Sequence, residues 1–143
     1  MNAKQESEKL MNAVLPLAEK MLIRHGEFYP YGGYLKPDGS IVDVGVEDLD
    51  TEHPKSRDLI YVLQNSFREM ASTNRCKAVV LIFDVAVVLP DSNRRSDAIQ
   101  VCVDHVDGYS AEVFFPYHIV NNRIVYEETF AQQGRHEIFG QTG

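Results

Sequence analysis

The chain of 143 residues has no tryptophan and only two cysteines, Cys76 and Cys102. Two widely separated cysteines make no disulfide framework. The five histidines (His25, His53, His105, His118, His136) have no ligand-pair spacing, so no zinc motif and no metal or cofactor are expected. There is no G-x-S-x-G, and no serine or cysteine stands in a context that marks a nucleophile. No apolar run reaches the roughly 18 residues of a membrane span, and no membrane partner is expected. The N-terminal MNAKQESEK is polar and lacks an apolar signal region, so the expected compartment is the cytoplasm, with both cysteines reduced. Positive charge is scarce in one place. Of the net −7, nearly all arises in Glu27–Glu52, which has Lys36 as its single basic residue against seven acids. Nucleic acid is therefore not expected as a partner, because binding phosphates requires a basic face.

Hydrophobic residues make up 44% and charged residues 24%, a globular composition, and the length suits one domain spanning 1–143. The organising stretch is Cys76–Pro90, CKAVVLIFDVAVVLP. At about 3.3 Å per residue it can cross a small domain as a strand. Both its faces are apolar, so it belongs mid-sheet with cover on both sides. Asp84 interrupts it in the middle.

Around that run the periodicities assign the other elements. Gln5–His25 reads as a helix with Leu10, Val14, Leu17, Ala18 and Met21 on one face, kinked or divided at Pro16 and ended by Gly26. Phe28–Leu35 and Ser40–Val46 read as strands joined by the turn Lys36-Pro37-Asp38-Gly39. Gly32-Gly33 marks a bulge or a close backbone approach. A second helix follows Pro54 and presents Leu59, Ile60, Leu63, Phe67, Met70 and Ala71, stopping near Ser72–Asn74. After the central run comes a polar loop, Asp91–Ser96. Asp97–His105 and Tyr109–Tyr117 then read as a hairpin. A three-residue loop with Gly108 left-handed pairs His105 with Tyr109, Val103 with Ala111, Val101 with Val113 and Ile99 with Phe115. A slip of one residue would mix the faces. A last strand is expected over Arg123–Phe130. Residues 132–143 are polar except Ile138-Phe139, and read as a loose tail or a small dock.

This order predicts an α+β single domain: an antiparallel sheet of five or six strands with two main helices packed on it, in the sequence helix, hairpin, helix, then three or four strands. The order resembles that of roadblock- and profilin-type domains over most of the chain. That resemblance implies an antiparallel sheet with helices packed against it. No motif of either family is present, so it carries no functional residue.

Four groups are candidates for chemistry. A carboxylate such as Asp84 inside an apolar strand is costly unless paired or protonated, and perturbed acids collect at functional sites. A simple hairpin after Pro90 would place it near Cys102 or Asp104. The plain alternative is an Asp84 satisfied by a backbone N–H, an arginine or solvent. Asp104, His105 and Asp107 put acids beside an imidazole, but Asp104 and His105 are strand neighbours and point to opposite faces. The plain alternative there is a solvated turn with His105 stacked on Tyr109. Asp43, Glu47, Asp48, Asp50 and Glu52 form an acidic stretch. His53 and Leu59 occupy the positions a calcium loop needs for glycine and a final acid, so it reads as a solvated edge or a protein-docking face. Tyr29, Tyr31 and Tyr34 form an aromatic group that lines either an interface or the core.

The function expected from these features is a small cytoplasmic, non-catalytic binding or protein-interaction module. It would self-associate as a homo-oligomer or use its acidic face on a protein with a basic patch, as an inhibitor, immunity-type or regulatory protein does. The alternative is a small-ligand-binding protein or enzyme with a sheet-lined pocket using Asp84, Asp104 or His105.

Overall fold

The computed structural model describes residues 1–45 and 55–140. Along the chain they form α1 (Ala3–His25), β1 (Tyr31–Leu35), β2 (Ile41–Val44), α2 (Ser56–Ser72), β3 (Ala78–Val88), β4 (Arg95–His105), β5 (Ser110–Val120), β6 (Arg123–Tyr126) and β7 (Phe130–Gln133). The strands make one antiparallel sheet in the order β2-β1-β3-β4-β5-β6, with β7 also paired to β5. The α+β class, the antiparallel sheet and the two helices agree with the sequence reading. The strand count does not. The described residues hold seven strands rather than five or six, and five rather than three or four follow α2.

The extra strand has a local cause in Pro116. It pairs with Ala98 on one side, and on the other its carbonyl accepts from the Glu127 N–H at 2.9 Å. Proline has no N–H with which to return that bond. Beyond this point the register changes. Tyr117 faces Tyr126, whereas Phe114 faces Phe130, so Glu128 and Thr129 together stand opposite Phe115. One extra residue against the partner strand is a β-bulge, and it splits the expected single strand into β6 and β7.

The central run behaves as its composition requires. The even-numbered residues Ala78, Val80 and Ile82 of β3 meet Leu10, Val14, Ala18 and Leu22 of α1. The odd-numbered Val79, Leu81 and Phe83 meet Leu63 and Phe67 of α2. The helices therefore cover opposite faces of the sheet. Both β2 and β3 pair antiparallel with β1, so they run parallel to each other and α2 is the crossover between them. The two adjacent glycines of β1 let both helices approach. A Cβ at Gly33 would stand 2.8 Å from a Val14 methyl, and one at Gly32 would stand 3.0 Å from the Phe67 ring.

Pro16 lies inside α1 without dividing it. Its missing N–H leaves the carbonyl of Asn12 without the usual i→i+4 partner. Close by, the Tyr31 hydroxyl enters the helix ladder. It donates to the Val14 carbonyl at 2.6 Å and accepts from the Ala18 N–H at 2.9 Å, bridging two groups that would otherwise bond each other. Side-chain insertion of this kind bends helices. Tyr31→Phe is expected to lower the unfolding free energy by about 2 kcal/mol, the cost of orphaning buried polar groups. Urea denaturation measures it. A loss below about 0.5 kcal/mol would mean that the helix closes the Val14–Ala18 bond by itself.

Turn chemistry fixes both hairpins. Gly39 (φ 93°) and Gly108 (φ 98°) are left-handed, and the Lys36 and His105 carbonyls accept from their respective N–H groups. The predicted pairs Val103–Ala111, Val101–Val113 and Ile99–Phe115 are all present, and the His105 N–H donates to the Tyr109 carbonyl at 2.8 Å. The β3–β4 connection is tighter than expected. Arg95 and Ser96 belong to β4, and the Leu89 N–H donates to the Arg94 carbonyl. Asp84 consequently pairs with Ile99, away from Cys102 and Asp104.

Residues 134–140 are docked rather than loose. The Gly134 N–H donates to the Ser110 carbonyl, Arg68 of α2 donates to the Glu137 carbonyl, and Ile138 is buried with Leu63 and Phe67. Residues 141–143 lie outside the described part.

Candidate functional site

The end of β4 places two adjacent ionisable side chains on opposite faces of the sheet. Asp104 faces α2 and His105 faces α1. Each finds a partner of the opposite type, and in neither case is it the strand neighbour.

On the α2 face, Asp104 is 6% exposed and holds the segment 134–140, hereafter the strap. Its Oδ2 accepts the N–H groups of Ile138 at 2.7 Å and Phe139 at 3.0 Å. Its Oδ1 is in hydrogen-bond contact with Nδ1 of His136. The backbone N–H of His136 donates to Ser110 Oγ at 3.0 Å, which fixes the residue from the β5 side as well. An ionised carboxylate only accepts, so His136 Nδ1 carries the proton and the other ring nitrogen, Nε2, presents a lone pair when the ring is neutral. The side chain of His136 is 28% exposed.

His136 and Asp104 stand in the wall of a cavity of about 220 Å³ between α2, the strap and the sheet. Its apolar lining includes Phe67, Val79, Leu81 and Phe83, and Gln100, Cys102, Glu112, Arg135 and Glu137 add polar groups. Burial pushes the Cys102 thiol up to about 12, and the Glu112 carboxylate adds to the rise. Cys102 is therefore a protonated thiol at neutral pH and a poor nucleophile. The other cysteine, Cys76, is pushed by burial to about 11. Both are free thiols.

On the α1 face, His105 is fully buried. Its Nδ1 accepts from the Asp107 N–H at 3.0 Å, so Nε2 bears the proton and donates to Glu6 Oε1 at 3.0 Å. Lys77 Nζ lies 2.5 Å from the second oxygen of Glu6. Lys77, and then the bond from His105, hold the Glu6 carboxyl below its ordinary range against the opposing effect of burial. A folded value below the unfolded one gives stability that is present above the ordinary glutamate range. It is lost as the pH falls through the folded value. This cluster ties the first turn of α1 to the sheet and is a structural ion network. Of the acids expected to be solvated at this turn, Asp107 is exposed and Asp104 is buried.

No family model, curated protein or solved structure matches this chain.

The other sequence candidates are dispersed. Asp84 reaches neither Asp104 nor His105. Its Oδ1 accepts from the Tyr117 hydroxyl at 2.9 Å. Burial raises its pKa, the Tyr117 bond offsets part of the rise, and Asp97 on the same face adds to it. The second carboxylate on its side of the sheet is thus Asp97 and not Asp104. An acid with a raised folded pKa costs stability once the pH exceeds its unfolded value. Asp84→Asn keeps an acceptor for Tyr117 and removes the charge, so it is expected to stabilise the protein at neutral pH, though by no more than about 0.5 kcal/mol because solvent screens the partly exposed carboxylate. The gain should vanish in acid, where Asp84 is protonated. A pH series of urea midpoints measures both.

The three tyrosines do not form one group. Tyr29 is 49% exposed, Tyr31 is the buried bridge in α1, and Tyr34 is half-buried against the α2-side core. Asp43 is exposed on the edge strand β2. Glu47, Asp48, Asp50 and Glu52 lie outside the described residues. His136 was not singled out from the sequence. The signal that pointed towards it was the apolar pair Ile138-Phe139, which marked a dock in an otherwise polar terminus.

Proposed function

We propose that this chain is a small-molecule-binding domain whose site is the cavity between α2, the strap and the sheet. The observation that carries the reading is the Asp104–His136 pair. A buried carboxylate orients an imidazole at Nδ1, and both residues belong to the wall of a partly apolar cavity. Apolar walls with a few fixed polar groups are the usual form of a ligand site. At about 220 Å³ the cavity is smaller than those that take drug-sized ligands. Binding is favoured over catalysis because burial keeps the Cys102 thiol in the cavity wall protonated. The roles expected of Asp84 and His105 in such a pocket are not retained, since Asp84 bonds Tyr117 and His105 lies on the other face. Native mass spectrometry of gently purified protein tests the proposal. Wild type should retain a small molecule that His136→Leu of unchanged fold does not. A wild-type protein that carries nothing and binds no member of a small-molecule library contradicts it.

A second reading keeps the acidic stretch as a docking face for a cytoplasmic protein with a basic patch, or for a self-associating regulatory module. Charge segregation favours it: one basic residue against seven acids in Glu27–Glu52. The likeness of element order to roadblock- and profilin-type domains belongs with this reading. Changing Glu47, Asp48 and Asp50 together to lysine should weaken capture of a basic partner and remove its salt dependence. Unchanged affinity and salt dependence contradict it.

A further inference from the structure

The cavity's polar groups limit what it can hold, and this inference rests on reading it as a ligand site. The neutral imidazole of His136 has its lone pair at Nε2, because Nδ1 keeps its proton and donates it in a hydrogen bond to Asp104. Glu112 faces the same space from β5, beside Cys102 in the register. One of its oxygens accepts from the Gln132 amide at 2.6 Å, and a carboxylate has further acceptor capacity. Glu137 accepts from the Gln64 amide at 2.9 Å and adds a third negative charge to those of Asp104 and Glu112. The Gln100 amide donates to the Cys102 sulfur, 3.4 Å away. Against these acceptors stands Arg135, whose side chain is at an exposed position of the cavity lining.

We infer that the cavity takes a small primary amine with an apolar body, its ammonium shared between Glu112 and His136 Nε2. A lining richer in acceptors and negative charge selects a cationic donor, and hydrogen bonds to charged groups are roughly twice as strong as neutral ones. The apolar body lies along Leu81 and Phe83. Scaling from a cavity of roughly 150 Å³ that accommodates benzene, the available space suits a ligand of about nine non-hydrogen atoms.

Three probes of matched shape separate the possibilities: 2-phenylethylamine, 2-phenylethanol and phenylacetate. Each is titrated into the full chain and followed by amide ¹H–¹⁵N spectra. The amine should shift the amides of Cys102, Glu112 and 136–139 and bind about tenfold or more tightly than the alcohol, the preference of a charge-assisted bond over a neutral one. Glu112→Gln, with an otherwise wild-type spectrum, should lose that preference. Equal or tighter binding of the alcohol, or of phenylacetate through Arg135, overturns the amine class while leaving the cavity a ligand site. An amine preference that survives in Glu112→Gln overturns the role given to Glu112. The absence of shifts with all three probes overturns the inference together with the reading of the cavity as a ligand site.

Discussion

Asp104→Ala is expected to lower the unfolding free energy by about 3–4 kcal/mol and to release the strap. The carboxylate is 6% exposed and gathers two backbone N–H groups and an imidazole, all from the strap. Removing one partner of a buried charged cluster typically costs about 3–5 kcal/mol. The strap can recover part of this by moving its N–H groups into water, so the lower part of the range applies. Two measurements separate the direct effect from general damage. Urea denaturation gives the total. Native-state hydrogen exchange reads the Ile138 and Phe139 amides, which should lose protection well before those of β3 and β4. Asp104→Asn keeps one acceptor oxygen and should be intermediate. If Ile138 and Phe139 stay protected in Asp104→Ala, the strap is held by its apolar contacts with Leu63 and Phe67, and the clasp assigned to Asp104 is wrong.

Gly32→Ala is expected to cost about 3 kcal/mol, near the upper end of the usual penalty for overpacking a core. The new Cβ would fall 2.2 Å from the Val80 carbonyl oxygen and 3.0 Å from the Phe67 ring. The first is backbone of the paired strand and the second is the most deeply buried aromatic of α2, so neither can yield cheaply. A control removes the general effect of changing glycine in this hairpin. Gly45 follows β2, and a Cβ there meets nothing within 4 Å. Gly45→Ala should therefore change stability by less than about 0.5 kcal/mol. Equal losses for the two variants would show that β1 is not where the sheet and α2 make their close contact.

These two positions show what the sequence made legible. Gly32-Gly33 is visible as a weakness in a strand, and its explanation as a close approach needs only the absence of a Cβ. The central run is legible because both faces are apolar. The second hairpin is legible to the residue because Asp107-Gly108 and the alternation on both strands agree. Local signals of this kind extend over a few residues, so pattern alone suffices. The candidate site is different. Asp104 and His136 are 32 residues apart, and they meet only because β7 returns beside β5 after the bulge opposite Phe115. That bulge arises from an N–H that Pro116 lacks, a cause visible only when the partner strand is known. The misplacement of Asp84 has a similar origin. Arg95 and Ser96 look like loop residues by composition, yet they extend β4 and move the register towards Ile99. Asp84 and His105 were both anomalies of the kind that attracts a functional reading. Each proved to have a dedicated partner within the fold, Tyr117 and Glu6.

The most direct test is the protonation state of His136, read from a long-range ¹H–¹⁵N correlation spectrum at about pH 8, above the ordinary histidine range. One fixed tautomer is expected, with Nδ1 protonated and donating to Asp104 and Nε2 an unprotonated acceptor, and that preference should be lost in Asp104→Ala, which leaves no acceptor for Nδ1. A wild-type ring with Nε2 protonated, or one exchanging freely between tautomers, would contradict the claim that Asp104 sets His136 as an acceptor in the cavity wall.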